Sequence, residues 1–195
     1  MNSDLISNID STKEKFKLII VGCDYAISAS VGADYSVFTI LGVTENNKIK
    51  VLNCWRRRGK KFSEQMAILK KINRDFRPNL FVVEINGMQE IFLQEMNDAG
   101  LPVVGDFTGN EKKDLYKGVP SLALLFEQNK IEFPYGTERA QKMTDIYFSE
   151  LNSITFIQDK GKLESTTQHD DTSMSLWQGV KGVKRSINSF DFSFI

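Results

Sequence analysis

Apolar and polar positions along this chain alternate and cluster in a way that predicts a mixed α/β fold. Three strand-like runs come first: Phe16 to Asp24, Val37 to Val43, and Lys48 to Trp55. The second and third are joined by Thr44-Glu45-Asn46-Asn47, residues that favour tight turns, so an antiparallel meander opens the domain. Phe62, Met66, Leu69, Ile72 and Phe76 then recur at the period of one helix face, with Ser63 the expected N-cap and Pro78 beyond the end. Leu80-Phe81-Val82-Val83 is short and continuously apolar, as suits a strand buried on both faces, and it ends in Glu84. A helix is predicted over about Met88 to Ala99, closed by Gly100, and a short strand over Leu101 to Val104.

Helical patterns near Lys112–Gln128 and Glu138–Leu151 flank a strand from Lys130 to Phe133, with Pro120 breaking or kinking the first. Ile154–Ile157 and Lys162–Thr166 read as a hairpin around Asp159-Lys160-Gly161. A last helix begins at Asp170 or Asp171 and carries Met174, Trp177 and Val180 on one side. A meander followed by alternating helices and short buried strands implies a mixed sheet with helices on both faces and an extra β-hairpin. One domain over residues 16–195, preceded by a polar tail or linker over 1–15, accounts for the 195-residue length.

Composition narrows the classes. Hydrophobic residues make up 41% and charged residues 26%, enough apolar material for a sizeable core. Lys plus Arg equals Asp plus Glu at 25 each, so no global positive field marks a polyanion partner and any such site must come from local clustering. The two cysteines, Cys23 and Cys54, end strand-like runs without paired spacing, which disfavours both a disulfide scaffold and a zinc site. No apolar run approaches a membrane span and the polar start is no signal peptide, so a cytoplasmic setting is expected.

The informative pattern is where the acids sit. Asp24 closes Leu18-Ile19-Ile20-Val21-Gly22-Cys23, and Glu84 closes Phe81-Val82-Val83. A carboxylate directly after an apolar strand loses water on one side and is costly unless a cation pairs with it. Two such carboxylates on neighbouring strand ends repel, and a divalent cation resolves the repulsion. His169-Asp170-Asp171-Thr172-Ser173-Met174-Ser175 adds two acids at a helix mouth, followed by small residues that let the helix pack close to a sheet. Singly, each has an ordinary alternative: Asp24 a turn residue, Glu84 the partner of a lysine, Asp170 and Asp171 helix caps. His169, the only histidine, is either a hydrogen-bonding residue ahead of the helix or a group touching the metal site.

In the order strand Asp, strand Glu, helix Asp the chain resembles the ribonuclease H-like nucleases, and within them the nuclease domain of phage terminase large subunits. The segments that carry the resemblance are GCDYAISASVGADYSVFTI at 22–40, FVVEINGM at 81–88, KGVPSLALLFEQNKIEFP at 117–134 and HDDTSMSLW at 169–177. The resemblance implies an endonuclease that cuts double-stranded DNA with two divalent ions, Mg²⁺ or Mn²⁺, by in-line attack of water on a phosphodiester. It implies Asp24 bridging both ions, Glu84 on one and Asp171 on the other, with Asp170 and Asp34 as auxiliary ligands. It also implies a place in viral genome packaging in the host cytoplasm, with the portal and the small terminase subunit as partners. No GxxxxGK[ST] stretch occurs, so the ATPase of such a motor is expected on a longer chain.

DNA contacts are expected from the run Arg56-Arg57-Arg58-Gly59-Lys60-Lys61, with Lys112, Lys113, Lys160 and Lys162 as further candidates, gripping phosphates rather than reading bases. The competing expectations are a Holliday-junction resolvase or transposase-like nuclease with the same centre, or a non-catalytic docking domain of the packaging motor.

Overall fold

The computed structural model describes residues 14–26, 34–85, 89–114, 117–157, 162–165 and 169–191, and all that follows concerns these. The elements run β1 (Leu18–Asp24), β2 (Ser36–Val43), β3 (Ile49–Arg57), α1 (Phe62–Phe76), β4 (Leu80–Glu84), α2 (Gln89–Asp98) and β5 (Val103–Asp106). A 3₁₀ turn (Asn110–Lys113) follows, then α3 (Ser121–Glu127), β6 (Ile131–Glu132), α4 (Glu138–Ser153), β7 (Ile154–Ile157), β8 (Lys162–Ser165) and α5 (Asp171–Asp191). Six strands form one sheet in the order β5-β4-β1-β2-β3-β6, while β7 and β8 pair separately as the antiparallel hairpin.

The meander forms as its alternation and turn chemistry require. β1 pairs antiparallel with β2 from Leu18–Val43 to Asp24–Val37, and β2 with β3 across a bulge at Ile40/Leu41. Asn47 supplies the positive φ (61°) that closes the β2–β3 turn. β4 then joins β1 in parallel, β5 joins β4, and β6 joins β3 at the far edge. Each parallel step needs a covered crossover, and helices accordingly cover both faces. Val21, Cys23, Phe38 and Ile40 pack with Leu69, Ile72, Phe92 and Met96 of α1 and α2 on one face. Ile20, Leu41 and Val82 pack with Leu176, Trp177 and Val180 of α5 on the other. Each fully buried aliphatic of this kind contributes roughly 1.5–3 kcal/mol.

Some boundaries move. Lys61, not Ser63, caps α1, with Glu64 Oε2 accepting from the Lys61 amide at 2.9 Å. The helix thus starts at Phe62, which is 40% exposed, because the reciprocal Glu64 contact sets the start and the apolar period does not. β5 lies two residues later than its apolar pattern implies and ends on the buried Asp106. Pro120 stands at the N-cap of α3 and separates it from the 3₁₀ turn. At the amino end Glu14 pairs with Lys50 at 2.8 Å, so the fold engages the chain ahead of Phe16.

One contact positions the site above all others. A Cβ on Gly22 of β1 would lie 2.0 Å from the Ser175 carbonyl oxygen and 2.4 Å from the Gly179 nitrogen. Only a glycine there lets the backbone of α5 lie directly on β1. Ser175 completes the seam: its Oγ donates to the Gly22 carbonyl at 2.9 Å and accepts from the Thr39 amide at 3.1 Å.

Candidate metal centre

Strand alternation sends Ile20, Gly22 and Asp24 to the α5 face, and likewise Val82 with Glu84 and Val104 with Asp106. Cys23 of β1 pairs in parallel with Val83 of β4, so Asp24 and Glu84 stand side by side one residue further on. The Gly22–Ser175 seam brings the first turn of α5, one turn before Ser175, to the same crevice. Asp24, Glu84 and Asp171 therefore meet from two strands and a helix that lie far apart in sequence.

Electrostatics register the meeting. The Asp24 carboxyl is pushed well above the ordinary aspartate range, by burial first, then by the charges of Glu84, Asp171 and, more weakly, Asp170, with Lys112 opposing. Asp171, 6% exposed, is pushed up to about 7, again by burial first, against the Tyr35 amide that donates to its Oδ2 at 3.3 Å. Asp170 is exposed at the rim. Glu84 is 4% exposed, accepts from the Thr108 hydroxyl, and is ion-paired with the Lys112 ammonium.

A second set of donors lies beside Asp171. Nδ1 of His169 is 3.6 Å from an oxygen of Asp34 and 3.6 Å from Oδ2 of Asp171, and the three ligand atoms lie within 4.8 Å of one another. The Arg58 guanidinium contacts Nε2 of His169. Nδ1 is the ring nitrogen that faces the two carboxylates. His169 thus touches the acid cluster from ahead of the helix. Carboxylate oxygens with one imidazole, some of them buried and mutually repelling, fit hard to borderline divalent cations. Asp24, Glu84 and Asp171, with Asp34, Asp170 and His169 around them, are the residues that could hold such ions.

Three residues absent from the sequence reading shape the site. Glu150 of α4, 4% exposed, accepts from the Thr172 amide at 2.7 Å, the Ser173 amide at 3.3 Å and the Thr172 hydroxyl, and so caps the helix that presents Asp171. Tyr35 holds Asp171 through its amide, and its ring lies beneath the guanidinium groups of Arg56 (3.3 Å) and Arg58 (4.2 Å). Asp106, in register with Glu84, would make a third strand-end acid, but Lys181 and Arg185 of α5 pair with it. Only the late end of β5, hidden by Gly105 and Asp106 after the apolar residues, stood in the way of finding Asp106. Nothing local in the sequence marks Glu150.

The basic run divides in the structure at Arg56. Its side chain is 15% exposed and donates to Glu150 at 3.1 Å, so it neutralises the cap of α5 and does not stand on the open rim. Arg57 donates to the Arg56 carbonyl at 3.0 Å and Lys60 pairs with Glu64 at 2.9 Å, while the exposed Arg58 reaches the crevice at His169. Lys61 caps α1. Lys112 points into the acid cluster. Lys160 lies outside the described residues, and of Lys113 and Lys162 only the backbone is described.

Glu150 yields a direct expectation. Glu150→Ala leaves the half-buried Arg56 guanidinium without its carboxylate and the first amides of α5 without an acceptor, a loss of roughly 3 kcal/mol. The melting temperature should fall by about 10 °C, and Glu150→Gln, which keeps an acceptor oxygen, should fall less. A thermal melt of Glu150→Ala matching wild type would remove Glu150 from this role.

A meander continued by parallel strands, with acids at adjacent strand ends under a close-packed helix, defines a ribonuclease H-like domain of the nuclease type. The profile of the family described as the terminase RNase H-like domain matches residues 21–178, and the chain belongs to that family. The crystal structure of the large terminase nuclease from thermophilic phage G20c with bound magnesium is similar, with a TM-score of 0.69 and 20% identity over 92% of this chain and 87% of that one. The same nuclease with bound cobalt gives 0.67 and 20% identity over the same shares, 92% and 87%. The large terminase nuclease domain of Thermus phage P74-26 gives 0.65 and 19% identity, over 91% of this chain and 85% of that one. Comparison with curated proteins finds no match.

Proposed function

We propose that this domain is a divalent-metal-dependent endonuclease that cleaves double-stranded DNA during viral genome packaging. The observation that carries this reading is the convergence of Asp24, Glu84 and Asp171, whose mutual repulsion a divalent cation would relieve. The magnesium and cobalt bound to the similar phage G20c nuclease support the same class of ion. Asp24 and Glu84 would hold one ion; Asp24 and Asp171, joined by Asp34 and His169, would hold the other. Bound there, two divalent ions would activate water and neutralise the charge developing on a phosphodiester.

The protein's own groups set the stage for that chemistry. Tyr35 and Glu150 fix the direction of Asp171, Thr108 fixes Glu84, and burial of Glu84 and Asp171 limits competition from bulk water. Arg57 and Arg58 are exposed beside the crevice and suit phosphate contacts. The expected setting is the host cytoplasm, working with an ATPase domain on the same longer chain, the portal and the small terminase subunit. No described helix is long and apolar enough to cross a membrane.

Purified protein should nick and linearise supercoiled plasmid with Mg²⁺ or Mn²⁺ and be silent in EDTA. Absence of cutting with either ion, in protein shown to be folded, would favour a docking domain. Faster cutting of a four-way junction than of linear duplex would favour a resolvase.

A further inference from the structure

Lys112 is not placed as a surface lysine ordinarily is. Its ammonium is ion-paired with Glu84 at the bottom of the crevice, and its charge also acts on Asp24 and Asp170. The backbone that carries it is pinned from three sides. The Val119 amide donates to the Lys112 carbonyl at 3.1 Å. Gly118 packs so closely that a Cβ there would lie 2.4 Å from that same carbonyl oxygen and 2.6 Å from those of Glu111 and Asp114. The neighbouring Glu111 side chain is tied to Lys181 of α5 at 2.7 Å. A 3₁₀ turn held by these contacts thus aims one long, flexible cation at the acids, while a third of its side-chain surface remains open to solvent.

We infer that Lys112 is a tethered counter-ion of the acid centre, competing with divalent cations for Glu84 and Asp24 and passing to the DNA phosphate when a cation displaces it. This rests on the metal-centre reading above. A buried glutamate without a positive partner is costly, so in the metal-free protein Lys112 supplies the missing charge. A divalent ion at the same carboxylates carries twice the charge and ligates directly, and it repels the ammonium held at Glu84 Oε1. The lysine stem has four rotatable carbons and an outlet to solvent, so the ammonium can withdraw to the crevice mouth without moving the turn. There it would meet a phosphate, whose charge it matches, only in the metal-loaded state. Metal loading and DNA grip are thereby linked through one side chain.

The linkage has a sign that a structural lysine would not produce. Lys112→Gln should bind Mn²⁺ more tightly than wild type in calorimetric titration without DNA. The expected gain is about tenfold, corresponding to roughly 1.4 kcal/mol. Its metal-free melting temperature should fall, and its affinity for duplex DNA in Ca²⁺ should weaken. Lys112→Arg, which keeps the competing charge, should bind Mn²⁺ as wild type does. Lys142→Gln, the same charge change on the outer face of α4, should leave Mn²⁺ affinity unaltered. Unchanged or weaker Mn²⁺ binding by Lys112→Gln overturns the inference while leaving the metal centre standing. Failure of the wild-type protein to bind Mn²⁺ at all overturns both.

Discussion

Replacing Asp24 by asparagine should abolish plasmid cleavage and, in EDTA, raise the melting temperature. The two effects have one cause. Asp24 sits where the fields of Glu84, Asp171 and Asp170 add, and its carboxyl is driven well above its ordinary range by that repulsion on top of burial. With ions bound, the same carboxylate would be the shared ligand, and losing several kcal/mol of charge stabilisation corresponds to a thousandfold or more in rate, roughly. Without ions, removing a repelled charge should stabilise the fold by about 1 kcal/mol, or roughly 2–4 °C for a domain of this size.

A pH dependence follows with a definite sign. Asp24 and Asp171 are raised in the folded state, so the native protein binds more protons than the unfolded chain across the interval between the two sets of values. Stability of the metal-free protein is therefore full below about pH 4 on this account and is lost as pH rises through about 7, the value reached by Asp171. The carboxyls held low, Glu64, Asp75 and Glu132, titrate below this window and do not mask it. Melts in EDTA from pH 5 to 8 should decline, less steeply in Asp24→Asn, and saturating Mn²⁺ should flatten the decline. A melting temperature that climbs across that range in EDTA would contradict the acid cluster.

The second large effect separates two adjacent residues. Asp171→Asn should be inactive, while Asp170→Asn should keep activity within roughly tenfold and most of its stability. Neighbouring positions at a helix start point about 100° apart, so both carboxylates cannot meet one ion alike. Asp171 is the buried member, held by the Tyr35 amide and facing His169, and it acts on Asp24 more strongly than Asp170 does. Asp170 is exposed, and its main-chain carbonyl opens α5 by accepting from the Met174 amide at 2.9 Å. Asparagine at 170 keeps that backbone role and a side-chain oxygen. Single-turnover plasmid cleavage at saturating Mn²⁺ decides the matter. An inactive Asp170→Asn beside a cutting Asp171→Asn would exchange the two roles.

Local signals carried much of this protein. The alternation of β1 to β3, the apolar run closed by Glu84 and the small residues of Thr172-Ser173-Met174-Ser175 each state a preference that short-range physics enforces. The mixed sheet, its covering helices and the acids at its strand ends were therefore legible from the chain. So was Asp171 at the mouth of α5, because a helix can lie on a strand only where residues such as Gly22, Ser175 and Gly179 leave room.

What only the tertiary structure decided is how each charge is partnered. Arg56 and Arg58 are two positions apart in one basic run, yet Arg56 turns inward to Glu150 and Arg58 outward to His169. Lys112 reads from the sequence as a candidate for gripping DNA phosphates, and only the close approach of Gly118 shows it aimed at Glu84. Asp106 has the same strand-end place as Glu84, but Lys181 and Arg185, about 75 residues away, neutralise it. Hydrophobic periodicity is a local property, set by the repeat of a strand or helix. The value of a buried charge depends on which opposite charge the fold delivers to it, and nothing in the neighbouring residues encodes that.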